Sequence, residues 1–261
     1  YPMLSLTMPD GERAQLVRQP AAEQCSLTVR IPSKTVFSMD EYERQGLFNQ
    51  IVPATDEISD TDKAMLELLK KRKFRAFLEA AIDNQKNIVV SGATGSGKTT
   101  FMKTLLSLID HGERIITIED AREIFIGHPN KVHLLYPKNL SAETTVTAKS
   151  CLEACLRMKP DRIILAEVRG DEAYYFIRAC GNGHSGSITS CHADSALMAY
   201  EQIALMIQAS PEGRGLSHEA IRRLIFMTID ISIHFSNLHG KRIITGIDFQ
   251  PERKIRMLRH D

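Results

Sequence analysis

The eight residues GATGSGKT, Gly92 to Thr99, place a lysine and a threonine directly after the last glycine of a GxxxxGKT pattern. Gly92, Gly95 and Gly97 allow the backbone to wrap a phosphate with its own N–H groups, with Ala93, Thr94 and Ser96 between them. The helix expected to follow directs its positive end at the same point, through the N–H groups of Lys98, Thr99 and Thr100. Lys98 has the reach for β and γ phosphates, and Thr99 has the hydroxyl that Mg²⁺ needs. A glycine-rich strand-to-helix turn with no ligand has no use for that lysine and threonine.

Such a cradle needs a carboxylate to manage the metal and the attacking water. RIILAE supplies Glu167 where a buried strand is expected to end, although Ala166 stands where an aspartate is usual. IITIED supplies Glu119 and Asp120 at the end of a second strand, followed by Arg122 and Glu123. The stretch GNGHSGSITSCHADS, residues 181–195, holds His184, His192, Cys191 and Asp194. Zinc ligands come in closer pairs than these two histidines, and GHSGS sets its glycine one place too early for a nucleophile elbow. GSITSC instead reads as one more strand ending at the same edge, which brings His192 near the γ phosphate. An imidazole there can bond a phosphate oxygen or the Glu167 carboxylate.

The elements that must position these groups alternate. NIVVSG, RIITIED, RIILAE and GSITSC are short β-branched apolar runs separated by helical stretches, which predicts an α/β fold with a mainly parallel sheet buried on both faces. Ligands then bind beyond the carboxyl ends of the strands. ISIHF, RIITGIDF and KIRMLR alternate and predict closing antiparallel strands. Before this domain, MLSLTM and ERAQLV flank a Pro9–Asp10–Gly11 turn, and SLTVRIP adds a strand expected to bury Leu27, Val29 and Ile31. Residues 1–37 are thus read as the latter part of a small β-containing domain that begins upstream of Tyr1. Residues 38–60 read as a linker and 61–261 as the phosphate-binding domain. Asp60 and Thr61 offer an N-cap for a helix carrying Leu66, Leu69, Phe77, Ala81 and Ile82 on one side.

Composition adds mainly exclusions. The chain has 261 residues and a formal net charge of +1, so it has no whole-molecule attraction for nucleic acid or lipid. The cysteines at 25, 151, 155, 180 and 191 are odd in number and scattered, which argues against a disulfide framework. Cys151 and Cys155 share a helix face and read as core. The most apolar run, LIFMTIDISIHF, is interrupted by Asp230 and His234 and is short of a bilayer span.

Four segments in order resemble a known family: GATGSGKT, IITIEDAREI, CLRMKPDRIILAEVRGDEA and GHSGSITSCHA. They are similar to the P-loop, acidic box, Walker B segment and histidine box of the secretion and traffic ATPases, most closely the VirB-type ATPases of type IV secretion systems. The resemblance covers nearly the whole chain. It implies a RecA-like motor domain that hydrolyses ATP with Mg²⁺ and a hexameric ring of identical subunits. It also implies a cytoplasmic, peripheral position on the bacterial inner membrane, among other components of a secretion machine. Carried over by position, Lys98, Thr99, Glu119, Glu167 and His192 match the family's site residues, with Thr99, Glu119 and Glu167 toward the metal. The family more often has glycine where Ala166 stands, and many relatives have aspartate where Gly170 stands. Arginines to complete the site are offered by Arg122, Arg157, Arg162 and Arg169 in the motor domain and by Arg13 and Arg30 in the N-terminal strands. In the family the nucleotide lies between the two domains and close to the next subunit.

Related motors of type II secretion and pilus extension usually carry a CxxC insert that does not occur here, and retraction motors resemble AIRE where this chain has AIRRL at 220–224. A RecA-like ATPase acting on nucleic acid would need a basic groove. The Lys70–Lys71–Arg72–Lys73 run reads more readily as a solvated helix face, and sequence-specific nucleic-acid binding is not expected. A nucleotide-gated scaffold that never turns over is left open by the residues alone.

Overall fold

The computed structural model describes residues 1–51, 57–137 and 146–259. Its centre is a seven-stranded sheet in the order β10-β9-β4-β8-β7-β5-β6. The strands are β4 (Ile88–Gly92), β5 (Ile115–Glu119), β6 (Lys131–Leu135), β7 (Arg162–Leu165), β8 (Ile188–Cys191), β9 (Ile231–Leu238) and β10 (Lys241–Phe249). All neighbours pair parallel except the β9–β10 hairpin. The continuous apolar runs have the cause expected of them, since alternate residues of each strand enter two separate cores. Val89, Ile116, Ile118, Ile163 and Leu165 face one core with α5 (Ala148–Cys155), α6 (Glu172–Gly181), α7 (Ala196–Ala209) and α8 (His218–Thr228). Ile88, Val90, Ile115 and Ile164 face the other, with α2 (Asp60–Lys70), α3 (Phe74–Asp83) and α4 (Lys98–Leu106). The architecture is mixed α/β with a mostly parallel sheet, as the strand pattern requires.

Strand β6 is absent from the sequence reading. KVHLL carries a lysine and a histidine in five residues, and its apolar signal is too thin to mark an edge strand. Its free edge is covered from the N-terminal side: Leu135 N–H donates to Ala21 O (2.8 Å) and Glu23 N–H to His133 O (3.0 Å). That segment leads out of a three-stranded antiparallel sheet of β1 (Met3–Thr7), β2 (Arg13–Val17) and β3 (Ser26–Arg30).

This small sheet corrects one expectation. Leu27, Val29 and Ile31, expected to be buried, are 63%, 40% and 75% exposed, and Leu4, Leu6 and Met8 are exposed as well. The register places Leu4 and Leu6 opposite Leu16 and Ala14, and these opposite Leu27 and Val29, all on one face. Residues described here pack on the other face, where Val17 enters the motor core and Thr28 Oγ1 accepts from Arg114.

Three further readings change. The polar stretch expected as linker contains α1 (Met39–Arg44), an exposed helix closed by a Ser38–Glu41 capping box. The single helix expected after residue 60 is two. α2 starts from Ser59 as N-cap and ends in a Schellman motif, with Arg72 N–H bonded to Leu69 O and Lys73 N–H to Leu68 O at 2.9 Å each. Arg72 takes the left-handed position, φ 56°, where glycine is usual, so the break carried no glycine to announce it. Finally, KIRMLR lies within a helix, α9 (Pro251–Arg259). Pro251 sits at the first helical position and Glu252 in the first turn, both favourable to helix. Arg253 and Lys254 of α9 bond Asp248 on β10 (3.0 Å) and Asp230 just before β9 (2.6 Å).

Candidate active site

The P-loop links β4, buried throughout, to α4. Gly92 has no room for a side chain: a Cβ there would lie 2.3 Å from Phe235 O on the neighbouring strand. Gly97 is the N-cap of α4 at φ 104° and gives no side-chain cap, so the first N–H groups of the helix stay free for a ligand. Lys98 is buried, and its ammonium donates to Gly92 O (2.7 Å) and Ala93 O (3.0 Å). Burial pulls its pKa down, partly offset by the Glu167 carboxylate. Ala93, Thr94 and Gly95 form the exposed crest of the loop, Ser96 is buried beneath it, and Thr99 and Thr100 open the first turn of α4.

The Walker B strand β7 ends at Leu165, and Glu167 follows with its side chain 14% exposed. Arg169 Nε donates to Glu167 Oε2 (2.7 Å), and Arg169 Nη1 bonds Asp120 Oδ2 (2.6 Å). His192, directly after β8, stands between the two motifs. Its Nδ1 lies 3.5 Å from Lys98 Nζ and its Nε2 2.6 Å from Glu167 Oε1. That approach is off the line of a hydrogen bond, and Oε1 stays buried without an aligned donor. The histidine stretch is therefore split by its own strand. His192 reaches the carboxyl edge, while His184 stays at the amino edge with its Nδ1 3.2 Å from Pro160 O.

The other acidic group is arranged differently from its expectation. Glu119 is fully buried, and its carboxylate accepts from Glu123 N–H (2.8 Å), Ile124 N–H (2.7 Å) and Thr117 Oγ1 (2.8 Å). In this conformation it fastens the loop after β5, and the neighbouring Asp120 is the carboxylate that joins Glu167 through Arg169. The sequence names Asp120 only as a strand-end acid with no role of its own and Arg169 only as one of four motor-domain arginines that could complete the site, and joins neither to Glu167 as the structure does. The signal was present in two charged residues next to motif positions, but nothing in one sequence says which of two adjacent acids turns inward.

The arginines also divide. Arg122 bonds Glu23 of the N-terminal segment (3.0 Å) and Glu119 (3.3 Å), and stacks over Phe125. It is thus committed between the two parts of the chain rather than to the cradle. Its hydrogen bond holds the Glu23 carboxyl below the usual range. Arg162 is buried against Glu113 (2.6 Å) and Ile82 O. Arg157 is exposed between the end of α5 and the start of β7, at the amino edge and so away from the P-loop of its own chain. Arg13 and Arg30 are register partners on adjacent strands, both exposed and without an ion pair among the described residues. Alternation puts them on the face of Val17 and Thr28, the side turned to the motor domain.

The residues present fit a nucleoside triphosphate with Mg²⁺. Ser96 Oγ and Glu167 Oε1 are buried with no hydrogen-bond partner. The amine of Lys98 rests on backbone carbonyls that a phosphate would replace. Thr99 and Glu167 have the hard oxygens a magnesium ion takes.

Residues 56–212 match the family described as Type II/IV secretion system protein. The chain is 45% identical over 261 residues to the type IV secretion system protein VirB11 of Brucella suis biovar 1 (strain 1330), covering 97% of this chain and 72% of that protein. It is 40% identical over 263 residues to VirB11 of Bartonella henselae (strain ATCC 49882 / DSM 28221 / CCUG 30454 / Houston 1), covering 96% and 74%. The crystal structure of the VirB11 ATPase from the Brucella suis type IV secretion system, in complex with sulphate, superposes with a TM-score of 0.91 at 44% identity over 97% of this chain and 78% of that one. With its P-loop, Walker B glutamate and strand-end histidine gathered at one sheet edge, the chain belongs to the Type II/IV secretion system protein family, as a VirB11-like traffic ATPase.

Proposed function

We propose that the protein works as a closed ring, most simply of six subunits, that hydrolyses Mg²⁺-bound ATP to drive assembly of, or export through, a type IV secretion machine at the cytoplasmic face of the inner membrane. The observation that carries the catalytic part is the convergence of Lys98, His192 and Glu167, with His192 3.5 Å from one and 2.6 Å from the other. Lys98 exchanges its carbonyl partners for the β and γ phosphates. Glu167 orients and deprotonates water through Oε1, the oxygen left without a donor. His192, between amine and carboxylate, registers whether the γ phosphate is present. Arg169 holds the second Glu167 oxygen and fixes the orientation of the carboxylate. Mg²⁺, held by Thr99 and Glu167, would offset charge on the phosphate oxygens.

The ring reading draws support from strand order. The N-terminal segment docks on β6, four strands from β4. At about 4.8 Å per strand that sets the docking point roughly 19 Å from β4 along the sheet. In this reading Arg13 and Arg30 serve the phosphates of an adjoining subunit, where a well-placed arginine is worth about 10³ to 10⁵ in rate.

Phosphate release and nucleotide binding on two variants test the catalytic assignment. Lys98→Ala should lose both binding and hydrolysis, because the phosphates lose their point charge. Glu167→Gln keeps the volume and the cradle and should bind ATP near normally while turnover falls about 10² or more. Parent-rate hydrolysis by Lys98→Ala would show that the P-loop assignment is wrong.

A further inference from the structure

The β9–β10 hairpin overhangs the P-loop. Leu238 pairs with Lys241 across a two-residue turn, His239 and Gly240, with φ of 51° and 82°. Two left-handed residues make the type I′ turn that suits strand twist, so the tip is a fixed structure. Its base is fixed as well. β9 pairs with β4 as far as Phe235 opposite Gly92, and the Phe235 ring packs 4.7 Å from that of Phe101 on α4. Phe235 is the register partner of Ile244, and Asn237 that of Arg242. Alternation puts all four on the hairpin face turned toward α4.

Arg242 consequently lies across the last glycine of the cradle. A Cβ on Gly97 would stand 2.9 Å from Arg242 Cδ and 3.7 Å from its Nε. Arg242 is exposed and has no ion pair or hydrogen bond among the described residues. Arg122, Arg162 and Arg169 are each bonded to a carboxylate. The direction of the ligand follows from sheet order. β4 has β8 and then β7 on one side, carrying His192 and Glu167 at their ends, and β9 and β10 on the other. A triphosphate whose terminal phosphate points to Glu167 extends its other end toward the hairpin.

We infer that Arg242 is a nucleotide-binding residue acting within its own subunit on the α-phosphate and adenosine half of the ligand. This rests on the P-loop reading above. The guanidinium offers a cation and planar donors to the α-phosphate oxygens and a flat face to the base, while Ile244 supplies apolar surface beside it. The contact is common to ATP and ADP, so it tethers the nucleotide through the whole cycle, unlike groups that sense the γ phosphate.

The test is displacement of a fluorescent ADP analogue by ATP, ADP and pyrophosphate from the parent protein and from Arg242→Ala and Arg242→Lys. Arg242→Ala should weaken ATP and ADP alike, by about 10-fold, and leave pyrophosphate unchanged. Arg242→Lys should fall between, since it keeps charge but loses the planar fork. Parent affinity for both nucleotides in Arg242→Ala overturns the inference. So does a loss confined to ATP, which would place the contact at the γ phosphate, and so does an equal loss for pyrophosphate, which would mean the cradle itself had been disturbed. If the parent protein binds neither nucleotide nor pyrophosphate, the P-loop reading fails first and this inference with it.

Discussion

His133 shows how a side chain outside every motif is tied to one. Thr117 Oγ1 gives its proton to Glu119 (2.8 Å), so the ring nitrogen 2.7 Å from that hydroxyl, His133 Nδ1, must be the donor. Nε2 is left as a bare lone pair, buried without a partner. Protonating it would place a cation in the interior near the Arg122 guanidinium, and burial first, then Arg122, lowers the pKa from 6.5 to about 4. Glu23 opposes that shift and Lys131 adds to it. The sign follows. An unfolded chain takes up the proton near pH 6.5 and the folded one near 4, so stability is complete above the upper value and is lost as pH falls through the window. The loss is at most about 3 kcal/mol. Urea unfolding from pH 7 to 4.5 should show it, and His133→Asn, which retains a donor toward Thr117 but cannot titrate, should lose less over the same range. Equal slopes for the two proteins would assign the acid sensitivity to other groups.

Among the elements, legibility depended on whether the physical cause was local. The P-loop announces itself because Gly92 must clear Phe235 O and Gly97 must hold φ 104°, and such demands restrict residue type at fixed spacing. Glu167 and His192 could be placed because both follow buried strands whose apolar runs end just before them. The face of the N-terminal sheet could not be read, because alternation says that two faces differ and not which one finds a partner. Nor could the orientation of Glu119, settled by backbone N–H groups four and five residues further on. The α2–α3 break was hidden because Arg72 occupies a position that normally belongs to glycine. That mismatch is measurable. Arg72→Gly should raise stability by about 0.5–1 kcal/mol, because it removes the left-handed penalty at a C′ position. Arg72→Ala, which equally relieves the basic run but keeps a Cβ, should not. A thermal melt that moved upward by the same amount for both would credit charge relief instead.

At the scale of the molecule, the P-loop strand lies near the middle of the sheet, while Arg13 and Arg30, without an ion pair among the described residues, lie on the N-terminal sheet that docks at the β6 edge. Arg13 and Arg30 sit directly opposite one another on β2 and β3, an arrangement that repels unless an anion or a carboxylate settles between them. No carboxylate does so among the described residues, and the segment between their strands docks on β6, four strands from β4. A closed ring answers both facts at once, since each interface in it can bring one subunit's N-terminal sheet to the next subunit's P-loop. Hydrolysis per subunit should then rise with protein concentration as rings form. The sharper measurement mixes two inactive proteins. Lys98→Ala subunits have a dead cradle but intact N-terminal arginines, and Arg13→Ala/Arg30→Ala subunits have the reverse. In mixed rings a sound cradle can sit beside a sound arginine pair, and part of the activity should return. Absence of rescue in rings shown to be mixed would reject action across the interface. Parent turnover by the double arginine variant alone would remove both residues from the mechanism and leave the Arg13–Arg30 pairing without a catalytic reason.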